Sequence, residues 1–264
     1  MIKFFRHIRQ QMIKENRVSK YLLYAIGEIV LVVIGILIAL QINNWNTQAN
    51  QRTEEIKYLK KLKVDLQADI VNLTDLIEVR RTKSNCALEL LELPPPQTLI
   101  KITSMDSLIS KLFGWREYIP HTNTLQELTS SGKFSILQSD SIKTLLINLE
   151  EQNRFEATMN EHMKREFHYY LYDRAAHLRE MLPTVDLRES FKTSDGFRLI
   201  NDISQEQLEI YSAQAEAFLN DIVIRNGLKL AASNNNYFIE NYRNMIKETE
   251  HLIEFIDQDL ANGK

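Results

Sequence analysis

The stretch YLLYAIGEIVLVVIGILIALQINNWN, Tyr21 to Asn46, is the most apolar part of this chain and decides its organisation. Its first twenty or so residues would form a helix that crosses about 30 Å of hydrocarbon, because an α-helix rises about 1.5 Å per residue. Aromatic residues mark both ends, with Tyr21 and Tyr24 at one end and Trp45 at the other, as is typical of the two membrane interfaces. We therefore predict a transmembrane helix over residues 21–43.

The charges of the 264-residue chain are divided unevenly around this segment. The formal net charge is −3, but residues 1–20 contain six basic side chains and one acidic one, so this tail is about +5 and the remainder about −8. Positive charge flanks the cytoplasmic end of a membrane helix. We therefore predict a basic cytoplasmic tail over residues 1–20 and an external domain over residues 44–264. In a bacterium this is the topology of an inner-membrane protein with a periplasmic domain.

Three alternative interpretations of the N-terminal region are open. The basic tail by itself would fit nucleic-acid binding, but the apolar run beside it favours a membrane flank and no nucleic acid. The tail could also lie on anionic lipid as an amphipathic helix, since Ile2, Phe5, Ile8 and Met12 fall roughly on one face. A cleaved signal peptide would use a site near Ala49, but the apolar region is too long and the tail too extended for one.

The residues after the membrane segment have a helical composition, with only 7 glycines and 5 prolines in the whole chain. The first helix is predicted from about Ala49 to Leu93, ending before Pro94, and no Gly or Pro separates it from the span. Its apolar residues recur in steps of three and four, as on one face of an amphipathic helix or coiled coil: Ile56, Leu59, Leu62, Leu66, Ile70, Leu73 and Ile77.

Further helices are predicted over residues 106–113, 124–130, 140–182, 204–225 and 228–259. Asp140 or Ser141 is expected to cap the third of these, and Gly132 and Gly227 are expected to end the helices before them. The apolar stripe of the third includes Ile142, Leu145, Leu146, Leu149, Phe155 and Met159. Residues 186–201 read as a loop-rich insert. The predicted fold is all-α, with the transmembrane helix continuing into an elongated antiparallel bundle of about four long helices.

Two motifs resemble an uncharacterised family of single-span membrane proteins from Bacteroidota, especially flavobacteria. The first is KYLLYAIGEIVLVVIGILIALQINNWN together with the basic tail before it, and the second is TLQELTSSGKFSIL, residues 124–137. The resemblance covers the first fifty residues closely and the remainder loosely. It implies a location in the cell envelope. It implies no catalytic residues, since the family has no assigned activity.

Glu28 is the one carboxylate within the apolar segment. On a helical wheel the small and polar residues share its face and the bulky aliphatic residues occupy the opposite one. The predicted interaction face consists of Ala25, Glu28, Val32, Gly35, Ala39 and Asn43. Membrane helices associate through such small residues and through polar contacts. Three roles are open for Glu28: being protonated or extending to the nearby interface; bonding to a partner span; or carrying protons, as in single-span subunits of ion-driven motors.

A second candidate surface lies in EFHYYLYDRAAH, Glu166 to His177, which is dense in aromatic residues. A helix that is aromatic on several sides is either packed centrally or contributes to a pocket. The residues of a possible ligand or partner surface are His168, Tyr169, Tyr170, Tyr172 and Arg174.

The sequence predicts no metal site and no cofactor. His251 completes a lone Glu-x-x-His, and His162 with Glu166 and Asp173 with His177 offer two ligands each, which favours pairing on a solvated face. Cys86 is the single cysteine, so it is either a buried small hydrophobe or an intermolecular bridge. The chain contains no nucleophile elbow, phosphate loop or zinc signature.

We therefore expect a non-enzymatic interaction or scaffold protein of the cell envelope. Its partners would be the lipid bilayer and, through the span, a second copy or another membrane protein; no small-molecule substrate is identified. Two other functions are open. One is a periplasmic ligand-sensing module that signals through a partner, because the cytoplasmic segment contains no output domain. The other is an ion-coupled single-span subunit.

Overall fold

The computed structural model describes residues 18–180 and 203–262, and every regular element in these ranges is a helix. In chain order they are α1 (Val18–Glu92), α2 (Leu99–Phe113), α3 (Asn123–Ser130), a short 3-10 helix (Lys133–Ile136), α4 (Asp140–Phe167), a π-helical turn (His168–Tyr172), α5 (Asp173–Leu178), α6 (Gln205–Asn220) and α7 (Ile222–Asn262). The all-α prediction is confirmed. Most of the basic tail and the insert predicted over residues 186–201 lie outside the described residues.

The chain divides into two compact units, residues 1–58 and residues 59–264. The first contains the apolar segment, and its described residues are helical throughout. The second contains the packed helices. Its core is formed by three long segments: the part of α1 from Leu59 onwards, α4 and α7.

Buried positions in α1 and α7 recur in alternating steps of three and four residues, so that one stripe of each of these helices faces the core. In α1 they are Leu59, Leu62, Leu66, Asp69, Leu73, Leu76, Arg80, Lys83, Ala87 and Leu90. In α7 they are Ile224, Leu228, Ala231, Asn235, Phe238, Tyr242, Met245, Thr249, Leu252 and Ile256. The stripe of α1 therefore continues beyond Ile77, where the apolar pattern of the sequence breaks off, through two cationic residues.

Cross-helix contacts set the direction of each helix. Lys63 binds Asp257 at 2.6 Å, whereas Ser84, further along α1, donates to the carbonyl of Ala232 at 3.2 Å, so α1 and α7 are antiparallel. Contacts between α4 and α7 also run in opposite senses: Asn241 binds Glu156 and Asn234 binds Glu166. Two helices that are each antiparallel to α7 are parallel to each other, so α1 and α4 run in the same direction.

The parallel arrangement of α1 and α4 follows from the segment between them. Residues 114–122, which we call the strap, have no regular secondary structure. The segment from the strap into α3 runs back along α1, so α4 begins near the start of the packed part of α1. Its register is shown by four contacts: Asp75 with Arg116 at 3.3 Å, Asn72 with the carbonyl of Ile119 at 3.4 Å, Asp69 with the amide of His121 at 2.9 Å, and Asp65 with the amide of Thr124 at 3.1 Å.

Several predicted helix ends differ from the observed ones. Ser139, rather than Asp140 or Ser141, caps α4, because its side chain accepts a hydrogen bond from the amide of Ile142 at 3.3 Å. The prediction that Gly227 ends a helix is wrong. The break comes earlier, at Asp221, and Gly227 lies inside α7. The helical run predicted to Leu182 ends at Leu178, because the next residue adopts an extended conformation.

Gly227 is a glycine for a packing reason. A Cβ atom at this position would lie 2.6 Å from the Cβ of Tyr170 and 2.8 Å from the Cδ2 of Leu171. The π-helical turn and α7 therefore approach so closely that a side chain on Gly227 would collide with its neighbours. Asn226-Gly227, which elsewhere suggests a turn, here marks a close helix contact.

Candidate functional site: an exposed apolar helix and a buried polar layer

The apolar part of α1 is not buried by any other part of the chain that the structure describes. One helix among the described residues is long and apolar enough to cross a membrane, and the apolar window that qualifies it has no buried residue. Of the predicted interaction face, Ala25 and Glu28 are half-buried, and the other four residues are exposed: Val32, Gly35, Ala39 and Asn43. A Cβ atom added to Gly35 would meet no atom within 4 Å. The face is thus available to whatever surrounds the helix.

The second unit contains a feature that the sequence did not reveal, a layer of polar side chains in its core. Arg80 is its centre and is fully buried. Its guanidinium donates to Asn160 at 2.7 Å on α4, and to Tyr242 at 3.3 Å and Asn235 at 3.4 Å on α7. The ring of Phe238 lies 4.7 Å from the guanidinium carbon. One cation therefore contacts both of the other long helices.

Glu156 is the acidic member of this layer and is also fully buried. Its carboxylate accepts hydrogen bonds from Asn160 at 2.9 Å and from Asn241 at 2.6 Å. Burial raises the pKa of Glu156, and bonds from Tyr242 and Asn241 and the charge of Arg80 oppose that rise. Asn160 thus links the two charged groups, with its oxygen on Arg80 and its amide nitrogen on Glu156.

Lys83 lies one turn beyond Arg80 and is 2% exposed. Its Nζ donates to the carbonyl of Leu112 at 2.9 Å, and the rings of Trp115 and Phe167 each lie 5.2 Å away. Burial, reinforced by repulsion from Arg80, lowers the pKa of Lys83 to about 7. A lysine in this position changes its charge near neutral pH.

The strap covers this layer from one side. Trp115 lies over Lys83 and, at 5.7 Å, over Arg80. Tyr118 is buried against Tyr242, with ring centroids 6.4 Å apart. Burial and a hydrogen bond with Asp69 keep the pKa of Tyr118 far above its usual value, so its hydroxyl stays protonated. The strap is therefore packed against the helices as part of the core.

The aromatic stretch after Glu166 does not form one surface. His168 and Tyr169 are exposed, the latter by 69%, and Tyr170 is half-buried against Gly227. Tyr172 turns inwards and donates to the carbonyl of Phe113 at 2.6 Å. Arg174 binds the carboxylate of Asp221 at 2.5 Å. The five residues predicted as a ligand or partner surface thus divide among three environments.

The π-helical turn explains this division. A regular helix would continue the core stripe from Phe167 to residues 170 and 174. The π-helical turn adds one residue, which moves the stripe to Leu171 and Ala175, and both are buried. The apolar side chains thereby enter the core, and Arg174 remains at the surface to reach Asp221.

The histidine pairs also have defined places. His162 Nε2 lies 3.2 Å from Glu166, as expected for pairing on a helix face, and His251 lies 3.8 Å from Glu254. Within residues 18–180 and 203–262, no group of three or more His, Cys, Asp or Glu side chains is arranged to hold a metal ion. Cys86 is buried, and burial raises the pKa of its thiol.

Residues 28–174 match the model of a family of unknown function, DUF6090. The match covers more than half of the chain. The chain belongs to this family. The DUF6090 region begins within the apolar helix and includes Arg80, Lys83, the strap and Glu156, whereas Asn235 and Tyr242 lie beyond it. No curated protein and no solved structure matches the chain.

Proposed function

We propose that this DUF6090 protein is a non-enzymatic, membrane-anchored interaction protein of the bacterial cell envelope. Its N-terminal tail would be cytoplasmic and its helical domain periplasmic, in line with the positive-inside rule. The N-terminal signature also favours a source in Bacteroidota. The span would dock a second span, from another copy or from another membrane protein, through the face of Ala25, Glu28, Val32, Gly35, Ala39 and Asn43.

The observation that carries this proposal is the open environment of Gly35. Small residues in membrane helices let two backbones approach closely, and polar side chains on the same face add hydrogen bonds. Gly35 and Ala39 are exposed and share the face of Glu28. Glycine weakens a helix by about 1 kcal/mol relative to alanine. Among the described residues no contact accounts for a glycine at this position on the face of Glu28, whereas a partner helix would.

The test is purification of the full-length protein from its native membrane in mild detergent. Wild type would be compared with Glu28→Leu and Gly35→Leu, reading complex size and co-purifying proteins. Gly27→Leu is the matched control: its Cβ would also meet nothing within 4 Å, but it lies about 100° around the helix from Glu28.

We expect the complex to be lost in Glu28→Leu and Gly35→Leu and retained in Gly27→Leu. A complex that survives all three substitutions would contradict docking through this face. Loss in all three would show that bulk anywhere on the span is disruptive, which would also contradict a specific face. Glu28→Gln distinguishes docking from the ion-coupled alternative, because glutamine keeps hydrogen bonding but cannot take up and release a proton.

A ligand-sensing module is the second candidate, and the π-helical turn favours it, because such turns are frequent at functional sites. His168 and Tyr169 lie within this turn and are exposed. A small molecule that bound there would raise the melting temperature of the full-length protein in wild type and not in Tyr169→Ala. A ligand that stabilised both proteins equally would place the binding elsewhere.

A further inference from the structure

The amine of Lys83 is enclosed by protein groups, and the residue is 2% exposed. The carbonyl of Leu112 accepts its hydrogen bond at 2.9 Å, and Trp115 and Phe167 close over it from the strap and from α4. An ammonium ion in water is surrounded by several acceptors, whereas here one carbonyl and two ring faces replace them. Cation–π attraction to the two rings compensates for only part of the hydration that the charged form loses on burial.

The neighbouring charge makes a proton on Lys83 still less favourable. Arg80 lies one turn away on the same helix and its positive charge is permanent. Glu156 on α4 is the acid of the layer, but its hydrogen bonds come from Asn160 and Asn241 and from Tyr242. Lys83 in its charged form is therefore the second cation in a buried layer with one nearby acid.

Other titratable groups surround the layer on each packed element. Tyr242 on α7, Tyr118 in the strap and Tyr172 after α4 remain neutral around pH 7, because burial raises the pKa of each. His121 and Glu117 lie in the strap itself: His121 binds Asp69 at 2.8 Å, and Glu117 accepts from the indole of Trp115 at 3.5 Å. An experiment on the strap therefore has to separate the role of Lys83 from the roles of His121 and Glu117.

We propose that Lys83 is a proton-binding switch that controls how tightly the strap is held against the helical core. When Lys83 is neutral, its amine donates to Leu112 and Trp115 packs over it. When Lys83 binds a proton, the ammonium needs water, and the nearest route for water is displacement of Trp115. The strap therefore loosens as pH falls through about 7. This inference does not depend on docking by the span.

Trp115 is a direct reporter of this movement. The chain has two tryptophans, so the full-length protein with Trp45→Phe emits from Trp115 alone. Emission wavelength and acrylamide quenching would be followed in detergent from about pH 9 to about pH 5. We expect a red shift and greater quenching with one transition centred near pH 7.

Two substitutions at Lys83 have opposite expected effects. Lys83→Met is apolar and of similar length, so its emission should stay at the high-pH value throughout. Lys83→Arg cannot lose its proton, so its emission should stay at the low-pH value. Lys111→Met and His121→Asn should each retain the transition, since Lys111 is exposed and His121 is bound to Asp69 instead. A transition that persists in Lys83→Met, or that disappears in His121→Asn, would overturn the proposal.

A measurement on the native sequence covers the case in which a variant does not fold. The Nζ and Cε resonances of Lys83 in isotopically labelled full-length protein would be titrated alongside the indole resonance of Trp115. We expect both to change together near pH 7. A Lys83 resonance that titrates near 10.4, as in a free lysine, would overturn the proposal.

Discussion

Gly35 and Gly227 both lie inside long helices, and neither has the positive φ that would require glycine. A Cβ at Gly227 would meet Tyr170 at 2.6 Å, whereas a Cβ at Gly35 would meet nothing within 4 Å. Packing among residues 18–180 and 203–262 therefore explains why position 227 is a glycine but does not explain Gly35. The comparison separates a helix surface that is covered within one molecule from a surface whose neighbours come from outside it.

The same contrast holds for the polar residues on the two surfaces. In the core, Arg80 and Glu156 bind partners from the same chain, so substitutions there act on folding. In the apolar segment, Val32, Gly35, Ala39 and Asn43 are exposed, so substitutions there should act on association and not on the stability of the helical domain. This difference is measurable as the free energy of unfolding of the full-length protein by urea in mild detergent.

The largest effect is expected for Arg80→Ala, because it leaves Glu156 buried without its nearest cation and removes the bonds to Asn160 and Asn235. Removing one partner from a buried charged cluster costs about 3 to 5 kcal/mol. Arg81→Ala is the matched control: Arg81 is exposed and binds Glu78 on the surface, so its loss should change stability by less than about 0.5 kcal/mol. Equal losses in the two variants would contradict a central role for Arg80.

A smaller loss, about 1 to 3 kcal/mol, is expected for Gly227→Ala, because a methyl group would overlap Tyr170 and force the two helices apart. Helix propensity alone predicts the opposite sign, a gain of about 1 kcal/mol. Gly35→Ala is the counterpart and should leave the unfolding of the helical domain unchanged. If Gly227→Ala stabilised the protein, the close approach of α7 to the π-helical turn would be wrong.

Lys83 should give the protein an unusual dependence of stability on pH. Its pKa is about 7 in the folded chain and about 10.5 in the unfolded chain, so between these values only the unfolded chain binds the proton. The free energy of unfolding therefore rises with pH in this window, by at most about 1.4 kcal/mol per unit, and the contribution levels off below pH 7. Urea unfolding of wild type and Lys83→Met at several pH values should show a slope that the variant lacks. Parallel curves for the two proteins would exclude a titrating Lys83.

The sequence was sufficient to predict the helices but not the polar layer. Steps of three and four identified the stripe of α1 up to Ile77, where cationic residues interrupt the apolar pattern. Continuing the same steps would have reached Arg80 and Lys83, and the corresponding steps in α7 reach Asn235 and Tyr242. A cation at a core position looks like the end of a stripe, because the partners that permit its burial lie on other helices.

Two further features depended on distant contacts. The shared direction of α1 and α4 follows from the return of the strap along α1, and the bonds that hold it there join residues about fifty positions apart in the chain. The π-helical turn shifts the core stripe by one residue. A constant helical period read from the sequence therefore assigns the wrong residues to the core after this turn. The apolar segment, by contrast, is a local pattern that the sequence shows directly, and the structure contains it as one helix long and apolar enough to cross a membrane.

Phe155 and Glu156 provide the most sensitive test of which residues of α4 face the core, because hydrophobicity alone assigns Phe155 to the core. The structure reverses the assignment: Phe155 is 51% exposed and Glu156 is fully buried. Phe155→Gln should therefore change the free energy of unfolding by only about 0.5 kcal/mol, as is usual for surface positions. Glu156→Ala, which leaves the amides of Asn160 and Asn241 without their acceptor, should cost several times more. If Phe155→Gln were the more destabilising of the two, α4 would be rotated by about 100° from its position here, and the polar layer would not exist.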